Sequence, residues 1–208
     1  MIVVVGDVAA RASESSGMVP AGFAATVATA AAGAGSKVEF VARLGEDEAG
    51  DAVILALARA GIGHVATLRD AGRDTPVISS TDDAADTDIE DDPRSAPTAA
   101  PRGPGLDAAD IGLALRYLSD YRVIVVAHPG DGDVLGEAIA SAGWAGAHLI
   151  VITSPGLEIV VPDDAIVVAA EPGAEAVADR VGRYAAAVDA GGPLDTAYAA
   201  LTGATAES

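Results

Sequence analysis

Apolar residues along the chain fall into two kinds of segment. Short, nearly unbroken runs of Val, Ile and Ala occupy residues 2–6 (IVVVG), 122–128 (RVIVVAH), 148–154 (HLIVITS) and 165–170 (AIVVAA). Runs of this length without alternation are the pattern of strands buried on both faces. Residues 37–43 (KVEFVAR) alternate as a strand, 64–69 (HVATLR) form a further one, and 75–81 (TPVISST) read as a short edge strand. Between them, residues 21–35, 46–61, 106–120, 133–143, 174–190 and 193–203 carry helical patterns. The first is almost entirely alanine and ends at a glycine, which suits close packing and a glycine stop. The second holds acids in its first turn, where they complement the helix dipole, and ends at Gly61. Strands alternating with helices predict an α/β fold, a three-layer α/β/α arrangement around a mostly parallel sheet. Ligands of such sheets bind beyond the carboxyl ends of the strands, near the topological switch point. The loops after Gly6, Arg43, His128, Ser154 and Ala170 are therefore the ones to search.

Residues 81–105 break the pattern. TDDAADTDIEDD places seven acids in twelve residues, and PRSAPTAAPRGPG follows with four prolines. Neither stretch buries enough apolar surface to offset its ordering entropy, so the segment reads as a flexible, solvated acidic and Pro-rich loop. With 208 residues, the chain is expected to form a single domain over 1–208 around one core.

Charge changes the picture more than composition does. The chain carries 31 acidic and 12 basic residues, a formal net charge of −19. Nucleic-acid binding needs Lys and Arg to neutralise phosphates, and anionic membrane surfaces need the same, so neither is an expected partner. Only one lysine, Lys37, is present, and the surface resembles that of salt-adapted proteins, a bias that a high-GC genome also produces. Cysteine is absent, which excludes disulfides, thiolate metal sites and a cysteine nucleophile. No apolar run approaches the roughly 20 residues of a membrane span. The start, MIVVVGDV, reads as a first strand, lacking the features of a signal peptide, and a cytoplasmic location is the expectation.

Several residues at predicted strand ends could contact a ligand. Asp7 follows the first strand and could bond a ligand hydroxyl or sit in a solvated turn. Asp47 could cap the second helix or reach a ligand. His128, with Asp131 and Asp133 close behind, ends a central strand; one His and two Asp on a Gly loop make a thin metal or acid–base cluster. Thr153 and Ser154 add hydroxyls in the neighbouring loop. The acid run 82–92 lacks the glycine and terminal Glu of an EF-hand loop and reads as a solvated charge run. Trp144 reads as a packing residue.

The stretch MIVVVGD, then PAGFAATVATAAAGAGSKVEFVARLGEDEAGDAVILALARAGI, then RDTP resembles the N-terminal half of the ribokinase-like (PfkB) carbohydrate kinase family. The matching motif positions are Gly22 at the first helix start, Gly45, Asp47 and Gly50 in a shifted glycine–acid–glycine motif, and Thr75. AAAVDAGGPLDTAYAALTGA resembles the family's closing helices. The resemblance implies a ribokinase-like fold and a site for a sugar- or nucleoside-like small molecule. Gly22, Gly45 and Asp47, with Asp7, His128 and Asp131, are then the candidate ligand-binding residues.

The resemblance also implies ATP, magnesium and a catalytic Asp in a Gly-Ala-Gly-Asp motif, which this sequence does not contain. EPGAEA (171–176) offers Glu171 and Glu175 as the nearest replacements, competing with a plain helix start. DAGGPLD (189–195) is a weaker match already accounted for by the closing helices. The family's substrate-binding Asp falls near Arg11 and its substrate-binding Asn at Thr26; no Asn occurs anywhere in the chain. The chain is shorter than ordinary members, and the lid strands and one strand–helix section are expected to be missing. The expectation is a homologue that binds a sugar or nucleoside, with phosphoryl transfer weak or lost. The alternatives are a compact active ATP-dependent kinase and a non-catalytic interaction domain, the last pairing as a homodimer through an exposed sheet edge.

Overall fold

The computed structural model describes residues 1–13, 17–78, 103–130, 132–171, 173–192 and 201. A five-stranded parallel sheet forms its centre, built from β1 (Ile2–Gly6), β4 (Val38–Val41), β8 (Val123–Ala127), β9 (His148–Thr153) and β10 (Ile166–Ala169) in the order β10-β9-β8-β1-β4. β1 lies between β8 and β4, with Ile2 opposite both Val38 and Val123, and every one of its residues is buried. That two-sided burial is why these strands read as unbroken Val/Ile runs.

Helices cover both faces. α1 (Phe23–Gly33), α2 (Glu48–Arg59) and α5 (Glu175–Asp189) share one core with Ile2, Val4, Phe40 and Val125. α3 (Ala108–Tyr117) and α4 (Gly132–Ala145) share the other with Val3, Val5, Ile124 and Val126. The alternation of Val3 and Val5 against Ile2 and Val4 follows the two-residue period of a strand. The three-layer α/β/α architecture read from the sequence is thus present.

The small side chains of α1 and α5 matter for how closely the layers approach. A Cβ on Gly6 would lie 2.8 Å from the Ala24 methyl, and one on Gly182 would lie 2.5 Å from the Val27 carbonyl oxygen. Strand against helix and helix against helix are at backbone contact here, which only glycine and alanine permit.

Beside the central sheet, β2 (Ala9–Ser13) and β3 (Gly17–Ala21) pair antiparallel, and β7 (Val77–Ile78) joins β2 in a small three-stranded sheet packed on α2. One expectation is corrected. Residues 64–69 do not add a strand to the central sheet. Instead β6 (Leu68–Asp70) pairs with β5 (Arg43–Gly45) in a separate two-stranded sheet, and only Gly63 bridges to Glu39 of β4. Residues 37–43 accordingly divide at Ala42 between β4 and β5. The helix expected over 193–203, apart from Leu201, and residues 81–102 of the acidic loop lie outside the described residues, as does Asp131. No described helix is long and apolar enough to cross a membrane.

Candidate functional site

The sheet order reverses between β1 and β8, so the crevice above their carboxyl ends is the switch point of the fold. β1 runs into Asp7, β8 into His128 and β10 into Ala170 and Glu171. Gly22 starts α1 beside Asp7 with φ 104°, a backbone setting that favours glycine, and no side chain caps the helix there.

His128 is the unusual residue of this crevice. Its φ of 48° is uncommon for a residue with a side chain. Its amide donates to the Ile152 carbonyl at 2.8 Å, and its ring stands edge-on to Phe23 with centroids 5.1 Å apart. Both ring nitrogens are shielded from solvent, and neither has a hydrogen-bond partner among the described residues. Burial pushes the imidazole below its ordinary range, favouring the neutral ring, and the carboxylates of Glu171 and Asp7 offset that only in part. On the next strand Thr153 is 3% exposed, and its Oγ1 also lacks a partner among the described residues.

A cavity of about 490 Å³ opens between the small sheet, α1 and α5. Arg11 and Pro20 form one wall, Thr26 and Thr29 a second, and Glu175, Asp179 and Arg183 a third. Arg11 Nη1 donates to Glu175 Oε1 at 3.1 Å, tying β2 to the first turn of α5. Arg183 Nε donates to Asp179 at 2.7 Å, an exposed pair four residues apart on one helix. The Thr26 and Thr29 hydroxyls donate back to the Gly22 and Ala25 carbonyls at 3.2 and 2.8 Å. Towards the cavity those hydroxyls therefore act as acceptors, while the donors are the guanidinium groups.

Gly45, Asp47, Gly50 and Thr75 form a different kind of unit. Asp47 caps α2 by accepting from the Gly50 amide at 2.7 Å, and its other oxygen accepts from the Thr75 amide at 2.5 Å. The Thr75 hydroxyl accepts in turn from the Gly45 amide at 2.9 Å. A Cβ on Gly45 would meet the Arg73 carbonyl at 2.5 Å, and one on Gly50 would meet the Gly45 carbonyl at 2.5 Å. Burial alone would raise the Asp47 carboxyl; the Thr75 and Gly50 amides, the Thr75 hydroxyl and the Arg69 charge outweigh it and hold it below the usual carboxylate range. Both Asp47 oxygens are turned into this unit, so Asp47 caps α2, and Gly45 serves the same unit.

A nucleotide with magnesium, which the family resemblance implies, does not fit the described residues around Glu171 and Glu175. A phosphate site at a helix start needs outward-facing amides. At the start of α5 the Ala174 amide donates to the Glu171 carbonyl at 3.0 Å and the Glu175 amide to the Gly173 carbonyl at 2.9 Å. The acids Glu171 and Glu175 flank that turn. Among the described residues no three His, Cys, Asp or Glu side chains could jointly hold a metal ion.

The structure thus gathers Arg11, Thr26 and Glu175 into one cavity, and Asp7, His128 and Glu171 at one crevice. Thr29, Asp179 and Arg183 were not singled out from the sequence. The four-residue steps from Glu175 to Asp179 to Arg183 would have placed those three on one helix face.

Residues 3–101 match the family model described as pfkB family carbohydrate kinase. No curated protein matches the chain. Aminoimidazole riboside kinase from Salmonella enterica, solved with aminoimidazole riboside and an ATP analogue, superposes with a TM-score of 0.52 at 18% identity, covering 76% of this chain and 50% of that one. A putative ribokinase II from E. coli in its apo form gives a TM-score of 0.55 at 16% identity, covering 76% of this chain and 53% of that one. The protein called Sa239 gives 0.64 at 11% identity, covering 100% of this chain and 94% of that one. At these identities the likeness is one of fold, and the chain spans about half the length of the riboside kinase.

Proposed function

Since residues 3–101 match the family model of pfkB carbohydrate kinases, we propose that the chain binds a small sugar- or nucleoside-like molecule, with phosphoryl transfer weak or lost. One observation carries this reading. Arg11 and Thr26, at the places of the family's substrate-binding Asp and Asn, and Glu175, the candidate replacement for its base, line the same cavity. Its volume lies in the range of small-molecule sites. The cavity offers two carboxylates, two guanidinium groups and two hydroxyl acceptors, a set suited to a hydroxylated ligand of low net charge.

The loss of transfer is supported by the chemistry around Glu175. A general base must be free to take a proton, whereas Glu175 lies 3.1 Å from the Arg11 guanidinium. Phosphoryl transfer also depends on preorganised donors for the developing charge. The Ala174 and Glu175 amides, at the start of α5, donate to the Glu171 and Gly173 carbonyls just before them.

Calorimetric titration with D-ribose, D-fructose and adenosine, alongside a coupled assay for ADP formation with ATP and magnesium, tests the reading. The expected outcome is saturable heat from at least one compound, abolished in Arg11→Ala, with no ADP above the protein-free rate. ADP formation that falls in Glu175→Gln would favour the active kinase instead. No heat from any compound would remove the reading.

A further inference from the structure

The outer face of α3 and α4 carries side chains that the fold leaves in water. Trp144, the only tryptophan in the chain and expected to pack, is 90% exposed near the end of α4, and Leu113 of α3 is 61% exposed. Tryptophan is mostly buried in folded chains, and one left in water is typical of an interaction surface. Between the two helices runs a groove of about 340 Å³, with Ala109, Gly112 and Arg116 of α3 on one bank and Glu137 of α4 on the other. Arg116 Nε donates to the Gly112 carbonyl at 2.8 Å. No ion pair joins Arg116 or Glu137 to any charge among the described residues.

The register of these residues fits a two-fold axis. α3 leads into β8 and α4 into β9, which are parallel, so the two helices run side by side in one direction. In keeping with that, the Tyr121 hydroxyl, just past α3, donates to the Ser141 carbonyl late in α4 at 3.4 Å. A Cβ on Gly112 would lie 2.7 Å from Glu137 Oε1, which sets those two residues level. At 1.5 Å per residue, Ala109 lies about 4.5 Å before that level, Arg116 about 6 Å beyond it and Trp144 about 10.5 Å beyond it. A two-fold axis normal to the face, about 3 Å beyond the level, exchanges Arg116 with Glu137 and Trp144 with Ala109 at the same time. We propose that this face docks a second copy of the chain: Trp144 of each copy enters the groove at Ala109 of the other, and Arg116 of each pairs with Glu137 of the other. Charge selects the occupant. A chain of net charge −19 repels its own kind over most of its surface, whereas here a cation and a carboxylate stand where one axis matches them twice. Helices of 10 and 14 residues give a face roughly 20 Å on a side, less than a permanent dimer buries. Association is therefore weak, with a dissociation constant of roughly 1–100 μM. It stands apart from the ligand reading above, whose cavity lies in the other helix layer.

The test is sedimentation velocity of the full chain from about 1 μM to 1 mM, in about 0.15 M KCl, with tryptophan emission read on the same samples. Because Trp144 is the only tryptophan, its emission reports this face alone. The sedimentation coefficient should rise with concentration towards that of a dimer, and the emission should shift to the blue in step. Trp144→Ser should stay monomeric. Arg116→Glu and Glu137→Arg should each weaken association roughly tenfold or more, because either change makes both symmetric contacts repulsive. All three should melt within a degree or so of the wild-type monomer, as surface changes do. Mixing Arg116→Glu with Glu137→Arg in equal amounts should restore association, since each copy then meets the opposite charge at both contacts. A pairing within one chain could not be rescued by mixing. A monomer throughout the range, a dimer without the emission shift, undiminished association of Arg116→Glu, or two charge variants that stay apart when mixed would each overturn the proposal. So would a monomer whose Trp144 already emits to the blue, which would mean that a segment of the same chain covers the face.

Discussion

Asp47 accepts from two backbone amides, one starting α2 and the other ending the loop before β7. Replacing it with alanine removes the cap and strands the Thr75 amide, an expected loss of about 2 kcal/mol in urea unfolding. Because the native carboxyl titrates below its ordinary range, this contribution is complete above the unfolded-state value, about pH 4, and fades as pH falls through the native value. The stability gap between wild type and Asp47→Ala should therefore narrow between pH 5 and the acid transition. His128 has the opposite chemistry but the same slope. Its native ring resists the proton that the unfolded chain accepts at about pH 6.5, so folding loses stability as pH drops through that range. His128→Phe should flatten the stability profile between about pH 7 and pH 5. A profile as steep as wild type would show that another group sets it.

The packing of α1 against α5 decides the geometry of both candidate sites, since Thr26, Glu175 and Phe23 all ride on these helices. Gly182 is the tightest point, with a Cβ there falling 2.5 Å from the Val27 carbonyl and 2.7 Å from the Ala30 methyl. Backbone cannot yield as a flexible side chain can. Gly182→Val should therefore cost about 1–3 kcal/mol and weaken any ligand that fills the cavity, measured by thermal melts and titration calorimetry. An equal-stability variant would mean the helices separate freely. The alanine-rich α1 was legible in the sequence because small residues in a row have few other uses. β2 and β3 were not: AARAS and GMVPA show neither alternation nor a β-branched run, and their pairing comes from backbone bonds and the packing of α2. HVATLR reads as a strand, yet the turn after Gly63 carries it away from β4. Arg11, Thr26 and Glu175 could be singled out one at a time by family position. Their meeting in one cavity could not, because it depends on the helix–helix distance. Nothing in the sequence distinguishes the orphaned Thr153 hydroxyl from that of any other strand threonine.

At the scale of the whole molecule the dominant force outside the core is self-repulsion. A chain of net charge −19 with a single lysine has few cations to distribute among its carboxylates. Several of the basic residues it does have are already paired, Arg43 with Asp110, Arg69 with Asp51 and Arg183 with Asp179. The remaining repulsion falls as salt shortens the screening length from about 10 Å at 0.1 M to about 3 Å at 1 M. Compaction concentrates like charge, so screening should stabilise the folded state more than the unfolded one. The melting temperature is thus expected to rise by several degrees between about 0.1 and 2 M KCl. General salting-out would produce a rise too, and a charge-reduced variant separates the two causes. Replacing the exposed Glu158, Asp163 and Asp164 by lysine removes three negative charges and adds three positive ones, moving the net charge from −19 by six to −13. If repulsion is the cause, this variant starts from a higher melting temperature in low salt and gains less from KCl. An equal gain in both proteins would assign the effect to the solvent, and no gain in either would remove salt adaptation as the reason for the acidic surface.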